Sequence, residues 1–357
     1  MLEINQTVLE DLKAIVSEDI DWQKLKGSKV VVTGANGMIA SYVCLSLLYI
    51  NDIMDLGIKV IALVRNKMRG ESKFSNILHR KDFVMLVQDV CDELKYKEGF
   101  DYLIHAASPT SPSQFISNPV GTIKANTMGT INMLDVAVER KVKGFMILST
   151  REVYGSFSDN RDFVNENDFG AVNPALVRSC YPEGKRLSET LCSAYKHQYK
   201  LNCKVARIAH TYGPGMQISD GRVVGDFIGN VVKGENITMN SDGSSVLGLT
   251  YISDLIRGLF RLLLDFEDMT YNISSKQSVV TVKELADTLA KLYKERKINV
   301  VQTTVNANIR RGYLSNKVPL LDSTKAETEG WISQVSIQEG LKRTIEYFDN
   351  EYKCKIL

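Results

Sequence analysis

A strand, a glycine turn and a helix follow one another near the start of the chain, and this order constrains the fold more than any other feature. Lys29–Thr33 (KVVVT) is a short β-branched run, typical of a strand that is buried on both faces. The turn Gly34–Gly37 comes next, and helical periodicity then covers Met38–Ile50. Strand and helix patterns go on alternating as far as Lys204–Ile208, which predicts a doubly wound parallel sheet.

We therefore predict an α/β protein, with a Rossmann doubly wound parallel sheet and a smaller α/β substrate lobe on the C-terminal side. Residues 1–27 are expected to form an N-terminal helical extension, and residues 28–211 a dinucleotide-binding domain. Beyond these, glycine-rich segments and short elements follow one another without a clean linker. Residues 248–266 are expected to return to the large domain, while residues 212–247 and 267–357 form the lobe.

Charge and composition exclude several classes of partner. The 357 residues carry a formal net charge of only +2, which gives no global basic field for nucleic acid or an anionic membrane. No apolar run is long enough to span a bilayer, and Met1–Asp21 lacks the pattern of a secretory signal. The histidines show no metal-ligand spacing, and the scattered cysteines form no CxxC pair. We expect no nucleic acid, membrane or metal partner, and free thiols in the cytoplasm.

The glycine turn predicts a dinucleotide site. Gly34 permits a tight turn, and Gly37 lets backbone N–H groups approach a pyrophosphate at the start of the helix. Because the turn lies between a strand and a helix, it has the context that this function requires. The other cofactor contacts predicted here are Asn36, Met38 and Ile39 in the turn, and Asp89 and Val90 after the third strand, where an acidic side chain can meet the adenine amino group.

The end of the second strand indicates which nicotinamide cofactor binds. An NAD-selective site usually has Asp or Glu there, to bind the ribose 2′-hydroxyl. This chain has Arg65, followed by Asn66 and Lys67. A cation suits a 2′-phosphate and leaves no carboxylate to repel it, so we favour NADP(H), with NAD(H) as the alternative.

A YxxxK pattern opens a later helix. Tyr181 and Lys185 are four residues apart and share a helix face, so the lysine ammonium is expected near the phenol. A neighbouring cation lowers a tyrosine pKa, and a tyrosine so tuned can transfer a proton at a sugar hydroxyl or carbonyl. Thr150, at the end of the preceding strand, is placed to hydrogen-bond the same substrate oxygen.

Together these motifs resemble the extended short-chain dehydrogenases that process nucleotide sugars, within the NAD-dependent epimerase/dehydratase family. The closest resemblance inside that family is to the UDP-glucuronate decarboxylases, and it covers nearly everything from about Gly27 onward. The stretches that carry it are His105–Ala107 (HAA), Ala107–Pro112 (ASPTSP), Asn118–Leu134 (NPVGTIKANTMGTINML), Ser149–Gly155 (STREVYG), Cys180–Arg186 (CYPEGKR), Asp220–Ile228 (DGRVVGDFI) and Asp322–Trp331.

The resemblance implies roles for the matching positions. Tyr181 and Lys185 would be the acid–base pair, Thr150 their hydroxyl partner, and Glu152 the acidic residue beside the reacting sugar. Substrate contacts would come from Ser108, Thr110, Glu152, His210, Arg222, Arg310 and Arg311. Further cofactor contacts would come from Ala106, Ala107, Ser108, Tyr181 and Lys185. The helices Thr122–Lys141 and Tyr181–Tyr199 would pair across a two-fold axis as the four-helix contact of a homodimer.

Four positions depart from the family pattern. Arg151 stands where the sugar 4,6-dehydratases carry an aspartate acid, so dehydration is not expected. Leu247 replaces a phosphate-binding arginine, and His210 replaces an asparagine. The arginine that decarboxylases carry before the DSTKA segment is missing, since the chain reads Lys317–Leu321 (KVPLL) there. A shorter or differently held sugar, or a different nucleotide, would be consistent with these departures.

Every enzymatic interpretation shares one core, in which hydride moves between the nicotinamide and an oxygen-bearing carbon while Tyr181 handles the proton. We favour an NADPH-dependent reductase of a nucleotide-linked keto-sugar, because of Arg65. The alternatives are a UDP-glucuronate decarboxylase-like enzyme or a 4-epimerase, each with retained NAD. A non-catalytic NAD(P)H-binding sensor is a further alternative, against which the intact Thr150, Tyr181 and Lys185 argue.

Overall fold

The computed structural model describes residue 2 and residues 4–159, 161–218, 220–303 and 319–356, without the side chains of residues 352–356. Its helices are α1 (Gln6–Val16), α2 (Met38–Met54), α3 (Lys67–Phe74), α4 (Pro112–Ser117), α5 (Pro119–Asn126), α6 (Met128–Glu139), α7 (Cys180–Tyr199), α8 (Val223–Lys233), α9 (Ile252–Leu264), α10 (Val282–Leu292), α11 (Thr324–Thr328) and α12 (Ile337–Ile356). Its strands are β1 (Lys29–Thr33), β2 (Lys59–Val64), β3 (Phe83–Val87), β4 (Tyr102–His105), β5 (Gly144–Thr150), β6 (Phe163–Val164), β7 (Cys203–Ile208), β8 (His210–Tyr212), β9 (Ile237–Met239), β10 (Val246–Tyr251), β11 (Thr270–Ile273), β12 (Val279–Thr281), β13 (Val300–Gln302) and β14 (Leu320–Leu321).

The main sheet has seven parallel strands in the order β3-β2-β1-β4-β5-β7-β11. Within it, Val32 of β1 lies between Ala62 of β2 and Ile104 of β4. The winding direction reverses beside β1, and the crevice at the carboxyl ends of the strands there is where such sheets bind ligands. The doubly wound parallel sheet predicted from the sequence is confirmed.

Both faces of the sheet are covered. Val30 and Val32 belong to a hydrophobic cluster with α1, α2 and α9, whereas Val31 belongs to a cluster with α6 and α7. Successive strand residues point to opposite faces, so a strand buried on both sides must be apolar throughout. This requirement accounts for the unbroken β-branched run in β1.

The N-terminal extension packs into the core. Leu12 and Ile15 of α1 are fully buried in the cluster shared with α2 and α9. Glu18, just beyond α1, accepts hydrogen bonds from Arg257 and Arg261 of α9, and the nearest contact is 2.5 Å. The extension is therefore fixed to the large domain by apolar contacts and by ion pairs.

The smaller lobe contains the sheet β12-β10-β8 and the parallel pair β9–β13, with α8, α10 and α12 nearby. Assigning the whole of residues 267–357 to this lobe was wrong for one segment. Thr270–Ile273 pairs with β7 as the edge strand of the main sheet. The local sequence could not show this because edge pairing is decided by tertiary contacts.

The helix predicted over Thr122–Lys141 is two consecutive helices, α5 and α6. The first begins earlier than predicted, because the Asn118 side chain accepts a hydrogen bond from the Gly121 N–H, and Pro119 occupies the first helical position. Among the described residues, no helix combines the length and apolar character needed to cross a bilayer.

Candidate active site

The turn between β1 and α2 has the geometry of a pyrophosphate cradle. Gly34 has φ +63°, and a Cβ there would lie 2.8 Å from the Cα of Ala107. Gly37 forms the N-cap of α2, and no side chain caps its first N–H groups. These groups are the donors that an anion at a helix N-terminus accepts from. The residues present therefore fit a dinucleotide, and Asn36, Met38 and Ile39 lie in or directly after the turn.

The ends of β1 and β4 are joined beneath this cradle. The Thr33 hydroxyl accepts hydrogen bonds of 3.1 Å from the N–H groups of Ala106 and Ala107, and it lies 2.9 Å from Nδ1 of His105. Burial lowers the pKa of His105 to about 3, so its imidazole is neutral. The predicted cofactor residues Ala106 and Ala107 are thus held directly against Gly34.

Arg65 lies at the end of β2, with 71% of its side chain exposed. Its Nη1 is 3.9 Å from Oδ2 of Asp89, which follows β3. Oδ1 of Asp89 accepts a 2.9 Å hydrogen bond from the Cys91 N–H, and Val90 between them is buried. Two predicted cofactor residues thus meet at neighbouring strand ends as a loose ion pair of opposite charges.

Tyr181 and Thr150 are brought together by the start of α7 and the end of β5. The two side chains are hydrogen-bonded, and both residues are buried. The ring of Tyr181 stacks on Phe115 of α4, with centroids 4.5 Å apart and an interplanar angle of 18°. Ser108 and Thr110 precede α4, and the Ser108 hydroxyl donates to the carbonyl oxygen of Pro109.

Lys185 is bound by the main chain of β5. Its Nζ donates a 2.7 Å hydrogen bond to the carbonyl oxygen of Leu148, and burial lowers its pKa to about 8. Burial and the negative charge of Glu152 raise the pKa of the Tyr181 phenol, outweighing the hydrogen bond from Thr150 and nearby guanidinium groups. The expectation that the tyrosine pKa is lowered was wrong for this structure, because helical spacing does not report burial.

Two residues in contact with the candidate site were not found from the sequence. Nη2 of Arg178 donates to both carboxylate oxygens of Glu152 at 2.9 Å, and its guanidinium lies 4.5 Å from the centre of the Phe115 ring. Arg178 and Phe115 therefore position Glu152 and Tyr181. The available signal was an arginine three residues before the tyrosine of the YxxxK motif.

Two further predicted substrate residues, His210 and Arg222, lie close to each other. Arg222 pairs with Asp220 at 2.6 Å, and its charge acts on both Tyr181 and His210. Burial, together with the charges of Arg151 and Arg222, lowers the pKa of His210 well below its usual value. The charges of the predicted substrate residues Glu152 and Arg222 thus act on Tyr181, and the charge of Arg222 also acts on His210. Arg310 and Arg311 lie outside the described residues.

Behind the site, Glu189 of α7 accepts hydrogen bonds from Ser149 and from the guanidinium of Arg207.

The cysteines with described side chains, Cys44, Cys91, Cys180, Cys192 and Cys203, are free thiols, as expected. Within the described part of the chain, no cluster of His, Cys, Asp or Glu could hold a metal ion.

This combination of a seven-stranded Rossmann sheet, a glycine cradle and a Thr150–Tyr181–Lys185 constellation defines an extended short-chain dehydrogenase. The family model described as "NAD dependent epimerase/dehydratase family" matches residues 30–274. The chain belongs to this family, and it is an enzyme of the nucleotide-sugar type.

Curated relatives agree with this assignment. UDP-glucuronic acid decarboxylase 1 of Danio rerio is 34% identical over 327 residues, covering 90% of this chain and 73% of that protein. UDP-glucuronic acid decarboxylase 2 of Arabidopsis thaliana is 35% identical, covering 91% of this chain and 69% of that protein. A solved structure of UDP-glucuronic acid 4-epimerase of Bacillus cereus, in complex with UDP-glucuronic acid and NAD, has a TM-score of 0.75 with this chain. The similarity covers 91% of this chain and 100% of that one. Because the two sequences are only 21% identical, this similarity shows the fold alone.

Proposed function

We propose that the enzyme oxidises a nucleotide-linked uronate at C4, releases its carboxylate as carbon dioxide and reduces the resulting ketone with the same cofactor. The observation that carries this proposal is the Glu152 carboxylate, held in place by two hydrogen bonds from Arg178 and close enough to act on Tyr181. The decarboxylase names of the relatives support it. The NADPH-dependent reductase that the sequence favoured becomes the second candidate.

Thr150, Tyr181 and Glu152 would each have a separate role in this reaction. Thr150 and Tyr181, hydrogen-bonded to each other, would bind the C4 hydroxyl, and Tyr181 would take its proton as the C4–H bond breaks. When bound, the nicotinamide accepts and later returns the hydride. The C4 ketone is β to the carboxylate, so the carbon–carbon bond can break with its electron pair passing to the ketone oxygen. Tyr181 would protonate that oxygen to give an enol. A proton from water would then add to C5 while the enol proton returns to Tyr181, which restores the C4 ketone, and Tyr181 would protonate the C4 oxygen as the hydride returns. Glu152, whose charge acts on Tyr181, would lie beside these proton transfers.

The test is incubation of the full chain with NAD and UDP-glucuronate, with carbon dioxide measured directly and the sugar nucleotide analysed by NMR. We expect carbon dioxide and a UDP-pentose in equal amounts, without net NADH formation. Tyr181→Phe should abolish both, whereas Tyr199→Phe, at the exposed end of the same helix, should not. If the product is instead the 4-epimer with its carboxylate intact, the enzyme is a 4-epimerase and the proposed decarboxylation is wrong.

The second candidate is reduction of a nucleotide-linked keto-sugar by NADPH, and Arg65 is the specific observation that favours it. Its exposed guanidinium at the end of β2 suits a ribose 2′-phosphate. Fluorescence titration of cofactor-stripped protein should then show tighter binding of NADPH than of NADH, with the preference lost in Arg65→Asp and kept in Arg65→Lys. Equal affinities, or NAD trapped in the purified protein, would remove this candidate.

We also propose a homodimer formed through α5 and α7. Large apolar side chains stand exposed there, with Val120 61%, Ile123 43% and Leu187 46% accessible. Exposed apolar residues concentrated on adjoining helices mark protein–protein contacts. The cytoplasm as the compartment stays a prediction.

A further inference from the structure

The imidazole of His105 lies between the cofactor cradle and helix α6, with a hydroxyl group at each ring nitrogen. On the cradle side, Nδ1 lies 2.9 Å from the hydroxyl of Thr33. On the helix side, Nε2 lies 3.3 Å from the hydroxyl of Thr130, and all three residues are buried. None of the proton transfers proposed above uses this ring. Its two contacts determine which nitrogen carries the proton.

The cradle side requires Nδ1 to be an acceptor. The hydroxyl oxygen of Thr33 already accepts two hydrogen bonds of 3.1 Å, from the N–H groups of Ala106 and Ala107. Because a hydroxyl has two lone pairs and one proton, only the proton remains for the ring. The Thr33 hydroxyl therefore donates to Nδ1 of His105, which carries no proton itself.

The helix side leads independently to the same tautomer. The Thr130 hydroxyl donates its one proton to the carbonyl oxygen of Asn126 at 2.7 Å, since the Ser188 hydroxyl is farther away at 3.4 Å. Towards the ring it can then only accept, so Nε2 of His105 carries the imidazole proton. Burial and the charge of Lys185 lower the pKa of this ring to about 3, which keeps it neutral.

The hydrogen bonds continue into helix α7. The Ser188 hydroxyl donates to the same carbonyl oxygen of Asn126 at 2.6 Å, and the carbonyl oxygen of Gly184 lies 2.9 Å from it. Gly184 directly precedes Lys185 and packs closely, because a Cβ added to it would lie 3.1 Å from the Cβ of Asn126. A continuous series of buried hydrogen bonds thus joins the end of β1 to the helix that carries Tyr181.

We propose that His105 is a positioning residue which, as the neutral Nε2–H tautomer, joins the cofactor cradle to the helix of Tyr181 and Lys185. Through Thr33 it holds the backbone of Ala106–Ala107 against the glycine turn, and through Thr130 it holds α6 and α7 in place relative to that turn. The opposite tautomer would break hydrogen bonds at both ends. The inference deepens the proposed function, on which only its turnover assay rests.

Nitrogen-15 NMR of the full chain, labelled in its four histidines, tests the tautomer without changing a residue of the site. The His105 signals are identified by their loss in His105→Gln. They should show an unprotonated Nδ1 and a protonated Nε2, unchanged between about pH 5 and about pH 9. A protonated Nδ1, or a ring that titrates in this range, would overturn the proposal.

Two variants separate the two ends of the ring, because an asparagine amide reaches about as far as Nδ1 and a glutamine amide about as far as Nε2. His105→Gln loses the contact with Thr33, so its Kd for NAD, measured by titration, should rise about 2- to 10-fold, the range for one hydrogen bond. His105→Asn loses the contact with Thr130. It should keep its affinity for NAD but lose about 2- to 10-fold in kcat for carbon dioxide release at saturating NAD and UDP-glucuronate.

Thr130→Val should reproduce the kcat loss of His105→Asn. The matched control is Thr344→Val on α12, since Thr344 is also a buried hydroxyl that donates to the carbonyl oxygen four residues earlier, that of Gly340. It should change neither quantity. Equal effects of His105→Gln and His105→Asn on both quantities, or a kcat loss of the same size in Thr344→Val, would overturn the proposal. If wild type releases no carbon dioxide, decarboxylation is rejected, while the tautomer and the NAD affinities still decide the role of His105.

Discussion

The ammonium group of Lys185 is held by the main chain of the strand that carries Thr150, through a 2.7 Å hydrogen bond to the carbonyl oxygen of Leu148. The next strand residue, Ser149, donates its hydroxyl to Glu189, one helical turn beyond Lys185. Two consecutive strand residues therefore bind two charged residues that lie one turn apart on α7, and Arg207 of β7 pairs with the second of them, Glu189.

This arrangement predicts a pH limit on turnover. Burial lowers the pKa of Lys185 to about 8, and the charge of Glu189, with a smaller effect from Cys192, opposes that shift. If the reaction needs the ammonium, kcat/KM should fall as pH rises above about 8. Glu189→Gln removes the opposing charge, so the fall should begin at lower pH. His105 also faces Lys185, but it stays neutral over this range because its pKa is about 3.

The measurement is carbon dioxide release across the pH range in wild type and Glu189→Gln. Glu139→Gln, on the exposed surface of α6, serves as the control and should keep the wild-type profile. A profile in Glu189→Gln that is lower at every pH but unshifted would show that Glu189 has a structural role alone.

Gly34 and Gly57 offer a matched pair for testing the cofactor cradle. Both have left-handed backbone, at φ +63° and +68°, so an alanine at either costs about 1–2 kcal/mol of strain. Only at Gly34 would the added Cβ meet backbone, 2.8 Å from Ala107, since nothing lies within 4 Å at Gly57. Denaturant unfolding should show that Gly34→Ala is less stable than Gly57→Ala. In NAD titration, Gly34→Ala should lose affinity for NAD and Gly57→Ala should not. Equal effects would contradict the close packing of the cradle.

The local patterns were sufficient to predict the sheet and the cofactor turn. Strand β1, the glycine turn and α2 are encoded by adjacent residues, and so is the placement of Tyr181 and Lys185 in one helix. The contacts of these side chains were not predictable in the same way. Arg178 reaches Glu152 across 26 residues, and no spacing rule connects them.

The prediction that the pKa of Tyr181 is lowered was wrong for a related reason. Charge proximity can be inferred from a YxxxK spacing, but burial depends on segments distant in the chain, such as α4 with Phe115. The same limit applies to β11, whose place at the edge of the main sheet is set by pairing with β7. Sequence therefore predicted that Tyr181 and Lys185 share one helix, while tertiary packing decided the protonation of Tyr181.

Asp11 makes stability depend on pH. Its buried carboxylate accepts hydrogen bonds from Tyr42, Tyr251 and Arg343, yet burial raises its pKa from 3.8 to about 6. A raised pKa means that the contribution to stability is complete below the unfolded pKa and is lost as pH rises through about 6. The shift corresponds to about 3 kcal/mol.

The comparison is between wild type and Asp11→Asn, with the free energy of unfolding measured by urea at several pH values. Relative to the variant, wild type should lose up to about 3 kcal/mol between about pH 4 and about pH 7. The difference between the two proteins isolates Asp11 from all other titrating groups. A difference that is constant with pH, or that grows in favour of wild type, would reject a raised pKa.

If the exposed apolar residues on α5 and α7 form the dimer contact, a single charge introduced there should dissociate the dimer into monomers. Ile123 is 43% exposed on α5, and an aspartate there would place an unpaired carboxylate in the proposed dimer contact. Light scattering at micromolar protein should give twice the 40.0 kDa chain mass for wild type and the single chain mass for Ile123→Asp. Ile53→Asp changes an isoleucine of similar exposure, 48%, on α2 and should remain dimeric. A monomeric wild type would refute the dimer, and a dimeric Ile123→Asp would place its contact on another face.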